Sequence, residues 1–346
     1  MMTVIRCTRL LAFLATAATI FTFVGSAVAV HDGARASWNA RDGTHGVSFQ
    51  YLHWGINAGD AVQFDPTQHI YPNASAEANI FMANYAHHFT FPLLKRPSSI
   101  SVAIAGGSVD VDIDTKVIPR RFLPPALTRN GSFSQSSSGF TDPNTQLVVN
   151  LYGTPPLKSG VDLLNYEPTW SVDAAFLLAF PIGAYDDDKL VNIGLNRWYG
   201  RIAFPAKYHF RVFSPGYMSS VEVVPSVWLF AKNNDFLGQK LENDPLWQLE
   251  AHWTHDFTAS FTASLDLLYR AGFKSEINDV KVGDKLDIGN LGFTLHFKAT
   301  DNLAIRTGFS SNLFGEKDVD NSLVRIQFVY AWHPASENMK KLTAGH

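Results

Sequence analysis

The stretch LVRIQFVYAW, Leu323 to Trp332, decides the fold of this chain. Val324, Ile326, Phe328, Tyr330 and Trp332 share one parity, and Arg325, Gln327, Val329 and Ala331 share the other. A period of two with one face apolar throughout is a β-strand. The opposite face carries an arginine and a glutamine near its middle. A soluble sandwich turns such a face to outside water. A barrel in lipid does the reverse, with apolar side chains on lipid and polar ones on a wet lumen. A single strand does not separate these readings, but the run of strands before it does.

Working back through the chain, the same alternation recurs. Leu303, Ile305 and Phe309 oppose Arg306 and Ser310, and Leu291, Phe293, Leu295 and Phe297 oppose Thr294, His296 and Lys298. Phe261 to Tyr269, Trp247 to Trp253, Val221 to Leu229, Trp198 to Phe210 and Trp170 to Phe180 follow suit. Pro225 needs local accommodation, because it cannot donate to a ladder. Earlier strands are Val47–His53, Asn79–Phe91, Ser99–Asp112 and Gln146–Leu151. The apolar parity switches at Gly106-Gly107, which predicts a β-bulge. The segment Thr115–Asn144, with Pro124-Pro125, reads as the longest irregular stretch and as a candidate to fold inward.

The count is about twelve strands. Long loops follow the first, third, fifth, seventh, ninth and eleventh, and short ones follow the second, sixth, eighth and tenth. Extracellular loops and periplasmic turns of an outer-membrane barrel alternate in this way. The connection after the fourth strand is long where the pattern wants it short. The fold expected is all-β, a transmembrane antiparallel up-and-down barrel.

The polar parity is charged in both signs. A charge turned to lipid costs roughly 2–4 kcal/mol at the midplane. The lumen-lining set is therefore Tyr199, Arg201, Lys207, Trp228, Glu250, His252, Asp266, Arg270, His296, Lys298, Arg306 and Arg325, with His209, Arg211 and Glu222 on the same face. Two readings stand side by side: cross-lumen salt bridges that hold a narrow barrel together, or a solute path. Trp54, Trp170, Trp198, Trp247, Trp253 and Trp332 lie at or near strand ends, as aromatic girdles require.

The ends are read separately. Arg6 and Arg9, the apolar run Leu10–Val24 and Ala27-Val28-Ala29 make residues 1–29 a signal peptide. Residues 30–45 form an irregular segment, 46–332 the barrel and 333–346 a periplasmic tail. The one cysteine, Cys7, lies in the leader. The mature chain therefore has no disulfide. A net charge of −3 gives no reason to expect nucleic acid. No cofactor, metal or catalytic site is expected. Asp186-Asp187-Asp188 lacks the glycine and glutamate of an EF-hand loop, His87-His88 and His252 with His255 lack a completing ligand, and no serine sits in a nucleophile motif. The expected partners are outer-membrane lipid, the barrel-assembly machinery and a small solute.

Four segments resemble the outer-membrane family named for a meta-pathway of phenol degradation. They are PIGAYDDDKLVNIGLNRW (Pro181–Trp198), WLFAKNNDFLG (Trp228–Gly238), Asp244-Pro245 before a strand, and DPNTQLVVNLYGTP (Asp142–Pro155). The resemblance implies a transporter barrel in a Gram-negative outer membrane, associated with aromatic or other hydrophobic catabolism. It carries over no ligand residues. The tail HPASENMKKLTAGH departs from a barrel that ends on an aromatic residue, so an assembly signal would be read internally. The function expected is passive uptake of small hydrophobic or aromatic compounds, leaving sideways near Gly106-Gly107. The alternative is a plugged barrel that only displays its loops.

Overall fold

The computed structural model describes residues 33–36, 40–58, 62–65, 68–117, 131–210, 217–282, 285–315 and 319–335. Residues 1–29, expected to be a leader, together with Arg211, Pro124-Pro125 and most of the tail, lie outside the described residues.

The chain runs through β1 (His45–Ala58), β2 (Val62–Asp65), β3 (Gln68–Phe91), β4 (Arg96–Val117), β5 (Gly131–Phe140), β6 (Asn144–Tyr152) and a short helix α1 (Gly160–Asn165). It continues with β7 (Trp170–Ala179), β8 (Tyr199–Ala203), β9 (Ala206–Phe210), β10 (Ser219–Phe230), β11 (Asn233–Phe236) and β12 (Gln239–Asn243). The last strands are β13 (Leu246–Asp256), β14 (Phe261–Gly272), β15 (Ser275–Ile277), β16 (Val280–Val282), β17 (Leu286–Lys298), β18 (Leu303–Gly315) and β19 (Val319–Trp332).

The wall is a closed antiparallel barrel of twelve strands, sealed where β19 pairs with β1 from His45↔Trp332 to Ala58↔Val319. β5 with β6 makes one wall strand and β8 with β9 another. β2 is a hairpin arm on β3, and β11, β12, β15 and β16 form a separate small sheet at the extracellular end. Closure removes the sheet edges that would otherwise stay unpaired. Pro205 and Pro225 are diagonal neighbours at the break between β8 and β9, where Phe204 N–H donates to Pro225 O at 3.0 Å. The missing donors therefore coincide with a gap in the ladder.

Polarity follows the expected inversion. On β17, Phe293, Leu295 and Phe297 are exposed on the outer wall, while Gly292 and Thr294 are buried. On β13, Trp247, Leu249 and Trp253 face out and Gln248, Glu250, His252 and Thr254 are buried. Trp170 and Trp253 mark the periplasmic level of the outer wall, and Trp198 and Trp247 the extracellular one. Trp54 departs from this set. It lies on the inward parity of β1 and packs against the interior.

The switch at Gly106-Gly107 is a correction. β3 and β4 pair without a shift from Ile70↔Val117 to Phe91↔Arg96. Ile104 faces out and Val109 and Val111 face in, and the alternation between them is unbroken. A bulge exists, but on the neighbouring strand. Ala103 pairs with Asn144 and Gly106 with Phe140, so Ile104 and Ala105 oppose Thr141, Asp142 and Pro143. Thr115–Asn144 is likewise not irregular throughout, because Gly131–Phe140 is strand β5 on β4.

The long fourth connection lies at the periplasmic end and holds α1. Ser159 caps it by accepting from Asp162 N–H, while Asp162 accepts from Ser159 N–H. Those bonds hold the Asp162 carboxyl below its ordinary range.

Candidate functional site

The periplasmic half of the lumen is polar and closely paired. Lys207 Nζ lies 2.6 Å from Asp173 Oδ2, and Asn150 donates to Asp173 Oδ1 at 2.7 Å. His252 Nδ1 donates to Asp266 Oδ1 at 2.7 Å, and the Thr294 hydroxyl donates to Asp266 Oδ2 at 2.6 Å. Arg325 Nη2 then donates to Thr294 at 3.2 Å. Higher up, Arg201 Nη2 meets Glu250 Oε1 at 3.1 Å beside Gln248, which accepts from Arg270 Nε at 3.3 Å. Burial of so many charges is sustainable only because they are paired and hydrogen-bonded.

The N-terminal segment enters this half from below. Arg35 donates its backbone N–H to Glu222 at 3.2 Å and sets Nη1 2.6 Å from Asp256 Oδ1. Gly33, in the left-handed region at φ 76, lies against the Arg325 guanidinium so closely that a Cβ would collide with it. Only glycine suits both demands.

On the side of β1, β3 and β4 the extracellular half of the lumen is apolar. Leu52 and Ile56 of β1, Ala76, Ala78 and Ile80 of β3, and Val109 and Val111 of β4 turn inward. Leu190, Val191 and Ile193, from the loop between β7 and β8, pack onto them. Phe236, Leu241 and Ile277 of the small extracellular sheet join the same cluster. A second cluster holds Leu177, Leu195, Tyr199, Trp228, Leu246 and Phe273. The Arg201 guanidinium lies 5.5 Å over the Trp228 ring, where the aromatic interior meets the charged one.

The wall itself is interrupted on this level. β6 pairs with β7 as far as Asn144↔Ala179, but β5 pairs with β4 alone among the described residues. The loop 180–198 fills the gap. Ala184 N–H donates to Phe140 O at 2.8 Å, Lys189 Nζ to Ser136 O at 3.2 Å, and Val191 N–H to the Gln135 side chain at 2.9 Å. Asp142, in the bulge, anchors the loop by accepting from Gly183 N–H at 2.9 Å and Leu195 N–H at 2.8 Å. Beside the gap the outer wall has a hollow of about 900 Å³. Its rim includes Phe49, Phe81, Ile104 and Phe140, and its floor Gly106, Gly107 and Gly139.

Of the lumen set read from the sequence, Tyr199, Arg201, Lys207, Trp228, Glu250, His252, Asp266 and Arg325 are buried inside the barrel, and Arg270, His296 and Arg306 are half-buried there. Lys298 lies at the edge of this set. It holds the inward parity but ends its strand at the periplasmic rim, exposed and 3.2 Å from Asp301. Asp142 and Arg35 were outside that set, as was the loop's apolar triplet. Leu190-Val191 and Ile193, apolar in an otherwise acidic loop, are the signal that points to it. Asp186, Asp187 and Asp188 lie together on an exposed turn.

The sequence signature described as "Putative MetA-pathway of phenol degradation" matches residues 57–328. The structure is similar to that of an outer membrane channel from Pseudomonas putida F1, with a TM-score of 0.64 and 15% identity over 87% of this chain and 100% of that one. It is also similar to the transport unit of the autotransporter AIDA-I from Escherichia coli, with a TM-score of 0.50 and 10% identity over 92% of this chain and 98% of that one. At these identities the two structures bear on the fold alone. A search of the curated proteins finds no match.

Proposed function

The chain belongs to the family of the phenol-degradation MetA pathway, and from that premise we propose that it is a passive outer-membrane channel for small hydrophobic or aromatic compounds. In this reading the solute enters from outside, passes the apolar upper lumen and leaves sideways between β5 and β7. The observation that carries it is the wall gap. It is closed by the loop 180–198 and not by a strand ladder, and an apolar hollow of about 900 Å³ lies next to it on the outer wall. A solute that sheds water against Leu52, Ile80 and Val109 gains from apolar burial at about 25 cal/mol per Å². A hydrated ion has no such compensation.

A second reading, a sealed barrel that displays its loops, is favoured by the Arg35 contacts and the buried ion pairs of the lower lumen. The two part on uptake of a radiolabelled simple phenol at limiting concentration, in cells with and without the gene. Faster uptake with the gene is expected. Equal uptake, together with no phenol binding by the purified barrel, establishes the sealed form.

A further inference from the structure

One row of the inner wall is left over by the pairing described above. His296 on β17 faces Arg306 on β18, Arg306 faces Gln327 on β19, and Gln327 faces Gln50 on β1. All four lie on the inward parity and are buried or half-buried. Adjacent strands lie about 4.8 Å apart, so the row covers roughly 14 Å of wall at one level. None of the four side chains has a hydrogen bond or ion pair among the described residues, and Arg306 Nε and His296 Nε2 are buried without an acceptor. Most of the carboxylates of this half have partners of their own. Asp173 is held by Lys207, Asp266 by His252 and Asp256 by the Arg35 guanidinium, while Glu222 accepts from the Arg35 backbone N–H and reaches Arg306 through its charge alone, with no hydrogen bond between them.

We propose that this row is an anion subsite that takes the carboxylate of a small aromatic acid. Arginine keeps its charge under all conditions of interest, and its planar fork matches two carboxylate oxygens. His296 and the two glutamine amides supply further N–H donors on the same wall. A neutral aromatic compound leaves these donors unmet, whereas an aromatic carboxylate satisfies them. An anion is also poorly suited to leaving through lipid, so the subsite directs acids down the polar lumen towards the periplasm. This rests on the reading that small aromatic solutes enter the barrel at all.

The test is calorimetric titration of the purified full-length mature barrel in detergent with benzoate, and with benzyl alcohol as the neutral analogue of similar size. Benzoate is expected to bind at least about tenfold more tightly. Arg306→Gln is expected to remove that preference, Arg306→Lys to keep part of it, and Lys298→Gln, at the rim, to keep all of it. Equal binding of the two compounds by the unaltered barrel overturns the subsite while leaving an aromatic channel standing. A preference that survives in Arg306→Gln overturns it as well. Binding of neither compound overturns the subsite and the aromatic reading together. If Arg306→Gln does not fold, the unaltered barrel and Arg306→Lys still decide the outcome.

Discussion

Leu295 and His296 are neighbours in sequence and meet opposite media. Leu295 is exposed on the outer wall, and His296 is half-buried in the lumen. Leu295→Arg is expected to weaken folding into lipid vesicles by roughly 2–4 kcal/mol in a urea titration. His296→Ala is expected to cost less than half of that, and equal costs would mean that the faces are assigned the wrong way round. Lys207 and Asp173 make a deeply buried ion pair, at 2% and 0% side-chain exposure. Lys207→Met alone strands a carboxylate and is expected to cost about 3–5 kcal/mol. Adding Asp173→Leu should recover most of it in the same titration. If the double variant were no more stable than the single one, the pair would not be the source of the cost. These charged residues were legible in the sequence because lipid excludes them from the other parity. Val109 and Val111 were not. Alternation says that two side chains share a face, but not which medium that face meets.

At the scale of elements, the loop 180–198 carries most of what the sequence hid. Its segment Pro181–Trp198 was recognisable, yet its course into the barrel mouth depends on contacts distant in sequence. Leu190, Val191 and Ile193 find their partners on β1, β3 and β4. The bulge was legible as a disturbance near Gly106-Gly107, and its strand was misassigned because the glycines are conspicuous and Thr141–Pro143 are not. Asp142 ties bulge and loop together through two backbone donors. Asp142→Ala leaves Gly183 N–H and Leu195 N–H without that acceptor, at roughly 1–3 kcal/mol for each buried group left unmet. Trypsin should then cut at Lys189 several-fold faster, while unboiled samples keep the electrophoretic shift of a folded barrel. An unchanged cleavage rate would show that the loop is held by its apolar contacts alone.

At the scale of the whole molecule, the strand count and the alternation of loop lengths were legible, because closure and bilayer thickness constrain every strand alike. The division of the lumen into an apolar upper half and a charged lower half was only partly so. It arises from how loop and N-terminal segment fill the barrel, which no strand pattern records. The central claim is that solute leaves through the gap closed by the loop. Phe140 and Ala184 are joined across that gap by a backbone hydrogen bond of 2.8 Å, so a short bifunctional thiol reagent can span cysteines placed at the two positions. The only natural cysteine, Cys7, lies in the segment expected to be a leader, so Phe140→Cys with Ala184→Cys introduces the sole thiol pair within the barrel. The deciding measurement is uptake of a radiolabelled phenol by cells carrying this variant, bridged with a bis-thiosulfonate and then reduced. Uptake at the level of cells without the gene is expected when the bridge is closed, with recovery on reduction. Equal gene-dependent uptake in both states would contradict it.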